Sequence, residues 1–155
     1  MKRPFHALAC ALVIAAALSA CDDDDPAAPP TTGAVSGTVT FQGAWPSTGD
    51  VQISIFSSFP PTGPPDAFTD PITQAASYDY SIAGLTPGDY AAVVVGWRDP
   101  LNPSTAEILG MHWEHVDSVA VDSNGDPRGF PLPLTIEAGQ TDANINMLAD
   151  LDVAP

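Results

Sequence analysis

Apolar residues occur at every second position in a series of short runs that begins at Gly33, and this alternation is what most limits the fold. Successive side chains of a β-strand point to opposite faces, so each such run predicts a strand with one buried face. The alternation is clearest in Val35–Phe41, Val51–Ile55, Tyr78–Ile82 and Ala143–Met147. A further run, Asp89–Trp97, is apolar on both faces, which is typical of a central strand covered on each side.

Two weaker runs add strand candidates at Val116–Val121 and Leu132–Ile136, and the proline inside the second places it at a sheet edge. Turn sequences rich in glycine, proline and asparagine separate the runs, and no long segment has helical periodicity. About seven short strands predict an all-β chain that folds as a single antiparallel β-sandwich over residues 33–150. The longest irregular connections are then the proline-rich Ser57–Ala76 and the segment Arg98–Ile108.

The segment Tyr80–Tyr90, with the sequence YSIAGLTPGDY, resembles the core of carboxypeptidase regulatory-like domains of the prealbumin (transthyretin-like) type. In that family an aromatic-x-apolar strand leads through a Leu-x-x-Gly-x-Tyr turn into the next strand. Leu85 would enter the core, Gly88 would give the turn its freedom, and the Tyr90 hydroxyl would reach a nearby backbone group, as in a tyrosine corner. The resemblance covers Gly33–Trp97, implies an Ig-like, prealbumin-like sandwich and says little about activity.

The first residues have the pattern of a secretory signal peptide, with two basic residues before an uncharged apolar run that is too short to span a bilayer. The run ends in Leu18-Ser19-Ala20-Cys21, which resembles the lipobox of bacterial lipoproteins. This resemblance implies that residues 1–20 are removed and that Cys21 is lipidated and becomes the mature N-terminus. It also implies a protein anchored to the bacterial cell envelope, in the outer membrane or on the periplasmic face of the inner membrane, with surface display left open. The alternative is an ordinary secretory signal with a coincidental cysteine.

Residues 21–32 follow as a tether, in which four aspartates precede three prolines and favour an extended chain. The sandwich domain occupies 33–150, and 151–155 form a C-terminal tail. Without residues 1–20, two arginines oppose 19 acidic residues, so the mature net charge is −17. No basic patch remains to neutralise phosphates, which argues against nucleic acid as a partner. We expect a monomer that contacts the bilayer through its acyl anchor and binds an envelope protein or a glycan.

Asp122, Asn124 and Asp126 place three oxygen-bearing side chains at alternate positions, a spacing that can surround a calcium ion. The segment is not an EF-hand loop, because prolines occupy the sixth and twelfth positions, where such a loop has glycine and glutamate. The dipeptide Asn124-Gly125 is also a strong hairpin-turn sequence. A plain turn and a calcium-stabilised loop both remain open, so calcium is the one cofactor considered besides the covalent lipid on Cys21.

Trp45, Trp97 and Trp113 could form an aromatic platform for sugar rings, or each could pack in the core. The histidines of the mature chain lie in the segment His112-Trp113-Glu114-His115. An extended backbone would send the two imidazoles to opposite faces, so no three metal ligands converge there. We interpret this segment as a polar strand or loop.

Nucleophilic catalysis has no support in the chain, because no Gly-x-Ser-x-Gly elbow occurs and the cysteine of the mature chain is assigned to the anchor. The motifs together predict a non-catalytic, membrane-anchored lipoprotein that acts as a structural or protein-interaction module. Two alternatives remain. One is a carbohydrate-binding module that uses the three tryptophans, and the other is a calcium-stabilised adhesion-type module that uses Asp122, Asn124 and Asp126.

The lipidation hypothesis predicts that Cys21→Ala abolishes incorporation of labelled palmitate and releases the protein from the membrane fraction, because the thiol that would carry the acyl chain is gone. Cys10→Ala is the matched control, since Cys10 lies inside the predicted signal peptide. That variant should be labelled and should sediment like the parent chain. Labelling that persists in the Cys21→Ala protein would contradict the assignment.

Overall fold

The computed structural model describes residues 28–155, which form ten β-strands and a short terminal 3-10 turn. The predicted signal peptide, Cys21 and most of the tether lie outside the described residues. The strands are β1 (Gly33–Gln42), β2 (Asp50–Phe56), β3 (Ala67–Phe68), β4 (Ser77–Leu85), β5 (Gly88–Tyr90), β6 (Ala92–Asp99), β7 (Asn102–Met111), β8 (Leu134–Ile136), β9 (Thr141–Asp142) and β10 (Met147–Asp150), and the 3-10 turn is Leu151–Val153. Within this part of the chain there is no helix long and apolar enough to cross a membrane.

Two four-stranded sheets, which we name sheet A and sheet B, make up most of the fold. Sheet A has the order β10-β1-β4, with β9 also paired to β1; β4 runs antiparallel to β1, whereas β9 and β10 run parallel to it. Sheet B has the order β3-β2-β6-β7 and is antiparallel throughout. β5 and β8 form a separate antiparallel pair. The predicted class, an all-β chain of β-sandwich type, is confirmed, with ten strands in place of about seven.

The core lies between the inner faces of the two sheets and follows the period-two pattern of the sequence. Val35 and Val39 of β1 are fully buried, and they pack with alternate residues of β2 and β6 in one apolar cluster. Burial of this apolar surface is the main source of stability, at about 25 cal/mol per Å² removed from water. Tyr80 belongs to the same cluster, and its hydroxyl donates a 2.7 Å hydrogen bond to the Ile145 carbonyl oxygen. Burial raises the pKa of Tyr80 well above its ordinary value, so this hydroxyl remains a donor.

The turn that leads from β4 to β5 has the form expected from the sequence. Leu85 is buried in the core, and the Tyr90 hydroxyl donates a 2.9 Å hydrogen bond to the carbonyl oxygen of Thr86. The predicted hydrogen bond from this tyrosine to a nearby backbone group is therefore confirmed. The predicted strand Asp89–Trp97 is divided just after this tyrosine into β5 and β6, which belong to different sheets.

The segment Arg98–Ile108 is not the irregular connection expected from its sequence, because it contains most of β7. β6 and β7 form a hairpin in which Asp99 pairs with Asn102 across a two-residue tip. Pairing with β6 supplies the backbone hydrogen bonds of β7, so weak local β-propensity does not prevent the strand.

Two other strand predictions also require correction. Val116–Val121 is not a strand, and among the described residues it contributes only the isolated bridge between Val121 and Pro127. The last strand begins at Met147 and not at Ala143, because Asn144 has a φ of 66° and a strand requires negative φ.

The two sheets come close together where β7, at the edge of sheet B, passes β10, at the edge of sheet A. A side chain at Gly110 of β7 would overlap the carbonyl oxygen of Leu148 in β10. The same holds for Gly37 of β1, where a Cβ atom would overlap the backbone of Ile145. Glycine is required at both positions by the lack of space, since neither has a positive φ.

The connection Ser57–Ala76 is tied to the edge of sheet B. The backbone N–H groups of Asp66, Thr69 and Ile72 donate hydrogen bonds of 2.8 to 2.9 Å to carbonyl oxygens of β2. The second half of the connection therefore extends the sheet beyond the short strand β3. The first half, residues 57–65, lies against the outer face of sheet B, and we call it the proline segment.

We predict that Gly110→Ala lowers the free energy of unfolding by about 2 kcal/mol, because the new methyl group must displace the β10 backbone. Gly96→Ala in β6 is the matched control, since a Cβ there meets only the Glu107 carbonyl oxygen, at 3.5 Å. That variant should be as stable as the parent or slightly more so. Urea unfolding of the three proteins measures the difference, and equal stability of the two variants would contradict the role given to Gly110.

Candidate functional site

The outer face of sheet B carries a second apolar cluster, although a β-sandwich needs only its inner faces for a core. Along β6, Val93 and Val95 point into the core and Val94 points outward, yet Val94 is only 3% exposed. The cluster contains the buried residues Ala92, Val94, Met111, Trp113 and Ala120, with Phe56, Phe59 and Ile108 packed against them. The connections on either side of sheet B therefore cover part of its outer face.

Between the proline segment and β7, this cover leaves an open cleft of about 650 Å³. The floor consists of outward-pointing residues of β2, β6 and β7, namely Gln52, Ser54, Val94, Gly96, Ala106 and Ile108. The walls are formed by Phe56, Pro61, Pro64, Pro65 and Phe68. The volume is within the range of ligand pockets, roughly 300 to 1,000 Å³, and the lining is mostly apolar with a few polar groups. This cleft is the candidate functional site.

The proline wall of the cleft is held at both ends by hydrogen bonds. The Ser57 N–H donates a 2.6 Å hydrogen bond to the Asp66 carboxylate, and the Asp66 N–H donates to the Ile55 carbonyl oxygen at 2.9 Å. The hydroxyl groups of Ser58 and Thr62 are 3.4 Å apart within the segment. Each proline ring also fixes its own φ, so the wall has few alternative conformations. The protein's own contacts therefore hold the wall of the cleft in place.

Arg98 lies at one end of the cleft and is the only basic residue in its lining. Its Nη2 atom is 3.7 Å from Asp50 Oδ2, which is longer than the roughly 2.7–2.9 Å of a charge-assisted hydrogen bond. Its guanidinium carbon is 6.0 Å from the centre of the half-exposed Phe68 ring. Its Nε atom is buried and has no hydrogen-bond partner among the described residues. The guanidinium thus retains hydrogen-bonding capacity that its own chain does not use.

The acidic residue beside the cleft, Glu107, contributes through its backbone. Its carbonyl oxygen lies 3.5 Å from the place where a Cβ atom of residue 96 would be. Its carboxylate lies elsewhere, since a Cβ atom at Gly125 would be 3.1 Å from Glu107 Oε2. The charged group that faces the cleft is therefore the guanidinium of Arg98, with Asp50 at its side.

The three tryptophans do not come together on one exposed surface. Trp97 and Trp113 are 4% and 8% exposed and belong to the inner and outer apolar clusters, respectively. Trp45 is partly buried, with its ring centre 5.0 Å from that of Phe41. The indole N–H groups of all three donate to backbone carbonyl oxygens, at distances of 2.7 to 3.1 Å. Their positions favour packing and do not support a platform for sugar rings.

Asp122, Asn124 and Asp126 form a compact turn around Gly125, which has a φ of 82°. Asp122 Oδ1 accepts hydrogen bonds from the backbone N–H groups of Asn124 and Asp126, at 2.7 and 3.1 Å. This is the geometry of the plain turn, which uses the Asp122 carboxylate for its own backbone. Among residues 28–155, no three histidine, cysteine, aspartate or glutamate side chains are grouped to hold a metal ion. Calcium binding therefore stays a prediction.

The two histidines among residues 28–155 have different surroundings. His112 is buried, and its Nδ1 atom is 3.3 Å from the Asn146 carbonyl oxygen. His115 is exposed, 3.1 Å from the Glu114 carboxylate and in edge contact with the Trp113 ring. The segment is therefore a loop after β7, in agreement with its interpretation as a polar strand or loop.

The residues that define the cleft, above all Arg98, Phe68 and Gly96, belong to no recognisable sequence motif. The sequence contains one indication of the cleft. Because Asp89–Trp97 is apolar on both faces, it predicts that other segments also bury the outer face of the sheet. Gly96 and Arg98 follow Val94 on that outer face by the alternation of side chains. Nothing in the local pattern indicates that Phe68 would lie beside them.

The described residues thus define an all-β sandwich with an apolar cleft on the outer face of one sheet. No protein-family model matches this chain, and neither does a curated protein or a solved structure.

We predict that Asp122→Ala lowers the melting temperature at neutral pH, because two backbone N–H groups lose their acceptor. The hydrogen bond from the Asn124 backbone is the main cause that lowers the pKa of Asp122 below its usual 3.8. Such a carboxylate stabilises the fold above its unfolded-state pKa, and this contribution is lost as the pH falls through the lowered folded-state value. The difference between parent and variant should therefore become smaller in strong acid, where only the weaker hydrogen bonds to the neutral carboxyl group remain. A difference that does not decrease there would contradict the role of the charged carboxylate.

The same two proteins test the calcium hypothesis. If calcium binds, a chelator should lower the melting temperature of the parent chain and leave that of Asp122→Ala unchanged. A melting temperature of the parent chain that is the same with chelator and with added calcium would leave the turn as the only role of this segment.

Proposed function

We propose that the mature protein is a non-catalytic, lipid-anchored β-sandwich of the bacterial cell envelope, which binds a partner protein through the outer face of sheet B. The observation that carries this proposal is the preformed apolar cleft on a face that the sandwich does not need for its own core. Exposed apolar surface of this kind marks interaction sites in other proteins. Phe68 at the cleft edge is 55% exposed, and Leu101 at the hairpin tip is 94% exposed, so the apolar surface extends beyond the cleft.

The anchor in this proposal is supported by the resemblance of Leu18-Ser19-Ala20-Cys21 to a lipobox. The relation to carboxypeptidase regulatory-like domains is supported by the buried Leu85 and by the hydrogen bond from Tyr90 to Thr86, which follow the spacing of that motif. That family relation bears on the fold, while the cleft bears on the function.

The position of the cleft suits a protein that is attached by its N-terminus. The chain enters the sandwich at Gly33, which pairs with Leu85 and lies against Ile136 beside β5. β6 starts next to this end and runs away from it, so Arg98 is about 20 Å farther along the strand than Ala92 at about 3.3 Å per residue. The Arg98 end of the cleft therefore lies away from the end that carries the tether, where a partner can approach it.

A photo-crosslinking amino acid placed at Phe68 tests the proposed binding face in cells. We expect one discrete adduct with an envelope protein after irradiation. The matched control is the same amino acid at Ser81, an exposed position on β4 of sheet A. Both variants should reach the membrane fraction in equal amounts. The proposal would be overturned by the absence of an adduct at Phe68, or by equal adducts at both positions.

A further inference from the structure

We propose that the cleft of sheet B recognises the C-terminal end of a partner polypeptide, with apolar side chains in the cleft and the free α-carboxylate on Arg98. This inference rests on the proposed function and names the chemistry of the partner. It combines three observations: an apolar cleft that is already formed, a floor that contains a polar hydroxyl group, and a single, partly exposed cation at one end.

The charge of the cleft favours an occupant with one negative group. After residue 3 the chain has no lysine and has arginine only at positions 98 and 128, and of these two Arg98 alone lines the cleft. Its contact with Asp50 is long, and 43% of its side chain is exposed, whereas Nε is buried and out of reach of a ligand. An incoming carboxylate can pair with the exposed part of the guanidinium, and Arg is well suited to carboxylates because its planar fork can bond both oxygens.

The floor of the cleft favours a peptide over a plain hydrocarbon chain. Ser54 places a hydroxyl group in the floor, whereas the Gln52 amide is already buried and donates a 2.7 Å hydrogen bond to the Thr69 carbonyl oxygen. An alkyl chain laid over the Ser54 hydroxyl would remove it from water without replacing its hydrogen bonds, which is unfavourable. A peptide carries its own N–H and C=O groups, which can pair with this hydroxyl, and Gly96 has no side chain to keep the peptide away from the floor.

The overall charge restricts the occupant further. With a net charge of −17 on the mature chain, acidic peptides are repelled at long range. A polypeptide end that is apolar, with its α-carboxylate as its one anion, meets this restriction. Capture of a terminal carboxylate is a general mode of peptide recognition.

The test uses the full chain in nanodiscs of zwitterionic phosphatidylcholine, with empty nanodiscs as the blank. The probes are two fluorescein-labelled peptides of the sequence Gly-Ser-Gly-Ser-Ala-Val-Phe, one with a free C-terminal acid and one with a C-terminal amide. We expect anisotropy titrations to give at least about tenfold tighter binding of the acid, which corresponds to about 1.4 kcal/mol, since the neutral amide cannot form the charge-assisted hydrogen bond. Equal affinity of acid and amide would overturn the proposal.

Variants of the two arginines then distinguish a local effect of Arg98 on peptide binding from the effect of the protein's net charge. Arg98→Gln should remove the preference for the acid, whereas Arg128→Gln, which removes the same charge outside the cleft, should keep it. Gly96→Val should weaken both peptides, because its side chain fills the floor in a position where the strand tolerates it. Loss of the acid preference in Arg128→Gln as well would mean that only net charge matters, and would contradict the proposal.

A competition experiment with decanoate distinguishes a peptide from a fatty acid. Decanoate should displace the acid peptide only weakly, and displacement at a lower concentration than the unlabelled peptide would overturn the peptide assignment. If neither probe binds but the crosslink at Phe68 forms, the C-terminal inference fails while the proposed function stands. If the crosslink is absent too, both fail.

Discussion

Sheet B must bury both of its faces, and the arrangement of the connecting segments follows from this requirement. β6 is apolar at successive positions, so whichever face turns inward leaves residues such as Val94 in need of cover. Sheet A covers the inner face, while the proline segment and the loop that carries Trp113 cover the outer face. These connecting segments form a less regular layer than a sheet would, and they do not cover β6 along its whole length. The cleft is the part of the outer face that this layer leaves open.

The period-two alternation is sufficient to predict the fold class, because in each half-buried strand the apolar residues occupy the buried face and the polar residues the exposed face. β7 has no such signature, since its backbone is stabilised by pairing with β6 and its residues show no strong alternation. The cleft is even less evident from the sequence. Val94, Gly96 and Arg98 share a face by alternation alone, but the approach of Phe68 depends on the path of a long connection. Likewise, the burial of Trp97 and Trp113 depends on which segments lie over sheet B, and local sequence does not report this.

Electrostatics act on this protein at two length scales. The 19 acidic residues set the sign of the long-range field, which salt screens over about 8–10 Å. Inside the cleft, the nearest charges are the guanidinium of Arg98 and the carboxylate of Asp50, 3.7 Å apart. The field near the cleft is therefore set by this pair of opposite charges, whereas the field farther from the protein is set by its excess of acidic residues.

The position of β1 has a mechanical consequence. This strand is the first of the domain, so any pull on the segment before Gly33 is transmitted directly into it. β1 lies in the middle of sheet A, in register with eight residues of β4 on one side and with four residues of β10 and two of β9 on the other. A load along its axis strains these hydrogen bonds together, in shear, and does not open them one after another from an end. The pairing of β1 thus lets the sandwich resist a pull that is applied at the N-terminal end of the domain.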